Sequence, residues 1–439
     1  MPSSIRNGDA VTGYRQLSNI ARVSVALISA VDPYPTDAGK KVVLAGFVSY
    51  FAERYGPGNV HYIKVGAAPD HEFPVRLHVV PAPSRATVMR NIATKVSTGR
   101  ASLQEAFLGS PKTAAEIRRI IGEIGPQLQV YDTVRMAQYA GADVRAEQVC
   151  YLDDLFSERY DRMLKAAEQF DDVEISPLGN FAEHIPAKLQ PLATNRIGQN
   201  ALLRIERALV RRSEDRVART FRRCLLVNDE EAADLTRRAG VAPGRVRCVP
   251  PLLKAPTSSR RTFAGTPDFV FLGLLSLPHN DDGIQWFLRA VWPTVLSRRP
   301  DARLRIIGRD IRPDLQALAA GLSDTVSVEG YVEDLSDALG RSAAMLNPLR
   351  FGSGVKLKVI EALGRGVPVV STPVGAEGIG HGPGTGVLVA QEPAAIAELM
   401  CSLTDVNYNA TVSADASAHF AATYAREAVF STYDTAFGA

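Results

Sequence analysis

At 439 residues the chain is too long for one ordinary core, and 46% hydrophobic with 22% charged side chains describes a globular protein in two domains of about 200 residues each. Its 50 Lys and Arg residues exceed its 47 Asp and Glu residues by a formal charge of only +3, too little to point to nucleic acid. Apolar runs stay below the roughly 18 residues of a membrane span, and the polar N-terminus MPSSIRNGDAVTGYRQLSNIAR lacks a signal-peptide core. Cys150, Cys224, Cys248 and Cys401 show no C-x-x-C spacing and no histidine cluster, so a cytoplasmic protein without metal or bound cofactor is the expectation.

Residues 22–30 (RVSVALISA) read as a buried strand, followed by the loop VDPYPTDAGKK and a helix over 40–55. Gly39, ahead of Lys40 and Lys41, suits either a backbone-and-charge contribution to a cleft or a plain lysine-bearing surface loop. The loop is not a G-x-G-x-x-G fingerprint, so a dinucleotide is not indicated. Strands at 59–65, 75–80, 128–131 and 148–152 alternate with helices over 84–98 and 112–124, the order of a parallel sheet. Asp132 and Arg135 open a helix after the fourth strand, where an aspartate cap and a first-turn arginine account for both without chemistry. Asp153 and Asp154 end the fifth strand, and adjacent carboxylates there either orient a hydroxyl or cap the next helix.

Residues 170–199 are polar and weakly periodic, a loop excursion carrying an isolated His184. A long helix over 202–223 bears arginines from Arg204 to Arg223. That face suits an anionic membrane surface, at about 1 kcal/mol per arginine near the lipid, or is a solvated face whose arginines pair with nearby acids. Arg204 and Glu206 turning into the cleft is a third arrangement. A strand at 224–228, a helix to Ala239 and a strand at 245–249 complete a first domain over 1–255, and 256–266, rich in Ser and Thr, is a linker.

The second domain, 267–420, opens at Phe269 with a strand, loop, helix and strand, so a right-handed βαβ unit is predicted. In its loop SLPHNDDG, the residues His279, Asn280 and Asp282 shape the loop and cap the helix that follows. The most informative stretch is GSGVKLKVIEALGRGVPVVSTPVGAEG, from Gly352 to Gly378, entered from a short strand at 343–347. Gly352 and Gly354 let backbone approach a ligand, and a helix opening near Val355 aims its free N–H groups at the same place. Lys356 and Lys358 add charge in the first turn, where acids are ordinarily preferred, so a phosphate-bearing ligand is expected. Glu361 lies one to two turns on, placed either to accept hydrogen bonds from ribose hydroxyls or to pair with Lys358. Glu377 stands at the carboxyl end of the next strand, a ligand contact or a turn residue between Gly375 and Gly378.

From Phe269 to about Ala390, through FVFLG, LRIIG (304–308), VSVEGYVED (326–334) and the glycine-loop stretch, the chain resembles the retaining, sugar-nucleotide-dependent glycosyltransferases of family 4. The resemblance implies an α/β chain of GT-B architecture, two Rossmann-like domains facing across a cleft, with a last helix over 421–439 returning to the first domain. It implies a nucleotide-diphosphate sugar as donor and a hydroxyl acceptor, with a lipid-linked saccharide in cell-surface polysaccharide assembly as the first choice and a peripheral place at the inner membrane face. Glu361 would bind the donor ribose, while Ser353 stands where the family has its other glutamate, the one touching the donor sugar. Gly330, Tyr331 and Val332 would meet the nucleobase through main chain, and the Gly39 loop would face donor and acceptor. The arginine and lysine that many members carry after the first strand of this domain are missing from SLPHNDDG, which makes Lys356, Lys358 and Arg350 the substitutes that neutralise the diphosphate. The histidine that members often present near residues 131–140 is also missing, leaving Asp132 or Arg135 for its place. A sugar-nucleotide 2-epimerase and a catalytically silent binding protein of a polysaccharide-assembly complex are the alternatives.

Overall fold

The computed structural model describes residues 23–141, 146–169, 196–253 and 261–438, so the N-terminal stretch, His184 and the first part of the linker lie outside the described residues. Seven strands, β1 (Val25–Ser29), β2 (Val60–Val65), β3 (Arg76–Val80), β4 (Leu128–Asp132), β5 (Glu147–Asp153), β6 (Arg223–Leu226) and β7 (Val246–Cys248), form one sheet ordered β3-β2-β1-β4-β5-β6-β7. Six more, β8 (Asp268–Leu272), β9 (Arg303–Ile307), β10 (Val326–Gly330), β11 (Ala344–Asn347), β12 (Val369–Ser371) and β13 (Val387–Val389), form a second, ordered β10-β9-β8-β11-β12-β13. Every pairing in both is parallel. The chain is thus an α/β protein with two Rossmann-like domains, the GT-B architecture.

Parallel strands need helical crossovers on both faces, and this is why the central strands are apolar without alternation. In β1, Val25 and Leu27 face a core layer with Phe47, Tyr62 and Val130, while Ala26 and Ile28 face a layer with Ile117, Leu152 and Val210. The second sheet repeats the arrangement: Phe269 and Phe271 pack on Trp292, and Val270 packs with Met345, Ile360 and Leu363. In each sheet the strand order reverses beside the first strand, at β1/β4 and at β8/β11, and a crevice opens there beyond the carboxyl ends. The last helix, Arg426–Phe437, lies on the Gly39–Tyr55 helix of the first domain, with Phe437 4.8 Å from the Phe51 ring and Asp434 accepting the Tyr50 hydroxyl at 2.7 Å. Arg261, within the segment 256–266 expected as a linker, donates to the carbonyls of Leu339, Gly340 and Ser342 and so packs on the second domain.

Several boundaries differ from the sequence-based expectation. Residues 196–199 are helical, because the arginine-rich helix runs Arg196–Thr220, and the helix expected over 84–98 ends at Asn91 and continues as one π turn, Ile92–Val96. The short helix Leu103–Leu108 and strand β13 were not anticipated; six and three residues are too few to show a period. Leu103–Leu108 forms through a capping box, Ser102 with Glu105, and through Glu206, whose carboxylate accepts the N–H groups of Leu103 and Gln104 at 2.8 and 3.2 Å. Glu206 therefore caps a helix inside the first domain and does not turn into the cleft. Arg204 pairs with Glu168, Arg207 with Asp161, Arg216 with Glu105, and both Arg222 and Arg223 with Glu147.

Candidate functional site

β11 delivers Asn347 to the switch point, and residues 348–356 carry the chain into the helix Leu357–Gly364. Gly352 at φ 126° and Gly354 at φ 77° hold backbone conformations that side chains oppose, so the loop needs both glycines. The helix opens two residues later than the sequence suggests: Lys356 occupies the N-cap position, gives no side-chain cap, and leaves Lys358 in the first turn. Lys356, 9% exposed, folds its Nζ back onto the carbonyls of Ser353 (3.1 Å) and Gly354 (2.5 Å), bracing the loop.

Lys358 is the less satisfied of the pair. Its ammonium donates to Asn280 Oδ1 at 3.0 Å and sits 4.4 Å from the Phe271 ring centroid, and among the described residues it meets no carboxylate. Burial, with repulsion from Lys356, pulls Lys358 down to about 7, and burial pulls Lys356 down to about 8. His279 beside them is pushed to about 4 by burial and by the two lysines. A cation held this way raises the cost of the unliganded fold and lowers the cost of an anion arriving at the helix tip.

The remaining expected residues divide. Arg350 is engaged by Asp282, so the Asp282 carboxylate does not cap its helix; Leu277 holds the N-cap position, and Asn280 is spent on the Leu274 carbonyl and Lys358. Glu361, 35% exposed at its side chain, pairs with Arg365 at 3.3 Å and not with Lys358. Tyr331 is 68% exposed beneath the Arg309 guanidinium, and Val332 is half-buried in the apolar layer that carries the Leu357–Gly364 helix. Glu377 is tied to Arg162 of the first domain, and Arg162 also reaches Glu231 at 3.0 Å, so one guanidinium joins carboxylates of both domains. Burial raises both Glu377 and Glu231, the latter to about 8.

On the facing wall Gly39 is the first residue of its helix, and a Cβ there would meet nothing within 4 Å. Asp132 does not cap the helix that follows it: its oxygens take Lys40 at 2.7 Å and the Ser29 hydroxyl at 2.6 Å. Arg135 donates to Gln104 at 2.6 Å and lies over the Phe156 ring. Asp154 is gripped by Arg159 through bonds of 2.6 and 2.9 Å, so the acidic pair does not cap either.

Among the described residues, cavities lie between the domains. One of ≈ 230 Å³ has Gly39, Lys40, Asp153 and Asp154 opposite Ser353, Gly354 and Val355. Another, ≈ 670 Å³, has Arg162, Asn228 and Glu230 opposite Arg350, Gly352 and Glu377, a size suited to a small organic ligand. The glycine loop stands between them. Tyr331, Val332 and Glu361 line neither. Sequence reasoning missed Arg159, Arg162 and Glu231, whose partners lie on other elements and leave no local pattern.

Comparison with known proteins agrees with this architecture. Residues 266–405 match the family model for Glycosyl transferases group 1. An uncharacterized 44.6 kDa protein in the cps region of Klebsiella pneumoniae is 29% identical over 150 residues, which span 33% of this chain and 37% of that relative. Similar solved structures include sucrose-phosphate synthase from Thermosynechococcus elongatus (TM-score 0.60, 15% identity, 94% of this chain and 97% of that one). HepE of Anabaena, solved with UDP-glucose, superposes at TM-score 0.54 with 12% identity over 93% of this chain and 97% of the other. WaaG, a glycosyltransferase involved in lipopolysaccharide biosynthesis, does so at 0.52 with 15% identity, over 94% and 100%.

Proposed function

We propose that the chain is a glycosyltransferase that moves a sugar from a nucleotide diphosphate to a hydroxyl acceptor with retained configuration, in the synthesis of a cell-surface polysaccharide or glycolipid. The observation that carries this is Lys358: an ammonium held off water beside Lys356, at a helix tip behind two glycines, with no carboxylate among the described residues. As the glycosidic bond breaks, negative charge grows on the departing diphosphate, and cations already fixed at that point stabilise it without reorganisation. Glu361 would hold the ribose by exchanging its weak Arg365 contact for hydroxyl donors, and the main chain at Tyr331 and Val332 would meet the base. Asp282 would release Arg350 to the diphosphate. The family match over 266–405 and the UDP-glucose seen in HepE support this class of donor, and they do not favour the 2-epimerase. A lipid-linked saccharide as acceptor, with the chain working at an anionic membrane face, fits the arginines of the Arg196–Thr220 helix, of which Arg204, Arg207 and Arg216 have acidic partners. Incubation with UDP-, GDP- and ADP-linked sugars, with and without saccharide acceptors, tests the proposal. Release of nucleoside diphosphate is expected with one base, and no stabilisation or turnover with any would refute it.

A further inference from the structure

The smaller cavity carries an inference that rests on the donor reading and deepens it. The wall contributed by the first domain holds two carboxylates, and one is committed, Asp154 to Arg159. Asp153 takes one hydrogen bond, from the Tyr151 hydroxyl at 2.7 Å to Oδ1, and among the described residues forms no ion pair. It lines the cavity whose opposite wall is Ser353, Gly354 and Val355, the loop that leads directly into the two lysines.

The backbone aims it there. The β5–β6 register shifts between Tyr151 and Asp153, and Asp153 has φ 71°, a conformation an aspartate adopts only at some cost. Its carbonyl still accepts Val227 N–H at 2.9 Å, so the ladder resumes and only this side chain is diverted.

We infer that Asp153 receives the attacking acceptor: one of its oxygens accepts the hydrogen bond of the incoming hydroxyl and takes its proton as that oxygen bonds to the sugar's anomeric carbon. The bond from that carbon to the diphosphate oxygen breaks ahead of the attack, its electron pair leaving with the diphosphate toward Lys356 and Lys358, and the hydroxyl adds on the face the diphosphate has left, so the configuration is retained. Atoms and charge balance, because the proton rests on Asp153 and the new negative charge on the leaving group. Burial and the neighbouring Asp154 raise Asp153 to about 6, opposed by Lys40, Arg159 and the Tyr151 hydroxyl. Asp132, Arg135 and, across the cleft, Lys356 complete the charged groups around this wall. A base of that strength is half ionised just below neutrality, near the optimum for proton transfer at physiological pH.

The test compares wild type with Asp153→Asn, chosen because asparagine tolerates positive φ and can still accept from Tyr151. Calorimetry with UDP, GDP and ADP should show unchanged affinity. Release of nucleoside diphosphate from the matching sugar nucleotide, to water or to a saccharide, should fall by about 10²-fold or more. In wild type that release should rise with pH through about 6, and the variant should lose this limb. A variant within threefold of wild type, or a wild-type rate flat between about pH 5 and 7, overturns the assignment; failure of every nucleoside diphosphate to bind wild type overturns the donor reading instead.

Discussion

Replacing Lys358 by Met separates a residue kept for a ligand from one kept for the fold. Burial lowers this ammonium from 10.5 to about 7. At about 1.4 kcal/mol per tenfold change in protonation, the charged form costs the unliganded protein on the order of 5 kcal/mol. Local relaxation and water entry at a half-buried site bring that to about 2 kcal/mol. Methionine keeps the apolar stem over Phe271 but leaves Asn280 Oδ1 without its donor, a loss of about 1 kcal/mol. The net expectation is an unliganded variant about 1 kcal/mol more stable than wild type at pH 6, or about 2–4 °C in melting temperature. The sign follows from linkage: a base with a depressed folded-state value destabilises fully below about 7, and the effect fades between there and 10.5, so the gain should shrink as pH rises. Nucleoside diphosphates should bind the variant roughly 10- to 100-fold more weakly, because a charge-assisted bond worth about 1.5–3 kcal/mol is gone. Thermal-shift titrations with UDP, GDP and ADP at pH 6 and 9 read both effects. A variant less stable at pH 6, yet protected by the nucleotides as well as wild type is, would refute the reasoning.

Further expectations follow from the same geometry. Binding of a nucleoside diphosphate at pH 8 should take up about one proton, seen as a calorimetric enthalpy that differs between Tris and HEPES, because lysines at about 8 and 7 become fully charged; no buffer dependence would remove them as the counter-charges. Gly352→Ala and Gly354→Ala should each strain the loop by about 1–3 kcal/mol and weaken nucleotide binding, given φ of 126° and 77°. Arg162→Gln leaves Glu231 and Glu377 without their shared cation and should cost about 3 kcal/mol in urea unfolding. That loss should be larger at pH 8.5 than at 5.5, since carboxylates raised by burial prefer to be protonated in the folded state; equal losses would contradict the assigned charges. Phe437→Ala, which empties the contact with Phe47, Tyr50 and Phe51, should destabilise by about 3–5 kcal/mol in thermal unfolding, and a change below about 1 would mean the last helix is only loosely held.

The amino-acid order determined what short-range rules can express. Unbroken apolar runs such as VALI and FVFL, separated by helical periods, already specify parallel sheets covered on both faces, and GSGVKLK already places two glycines and two lysines at one helix tip. Which charges remain available at that tip was decided only in three dimensions. Arg350 meets Asp282, Glu361 meets Arg365, Asp132 meets Lys40, and Arg162 joins Glu231 to Glu377, while among the described residues Lys358 and Asp153 form no ion pair. Hydrophobic periodicity sets the face on which a side chain emerges, whereas ion pairing depends on approach within about 4 Å of groups usually distant along the chain.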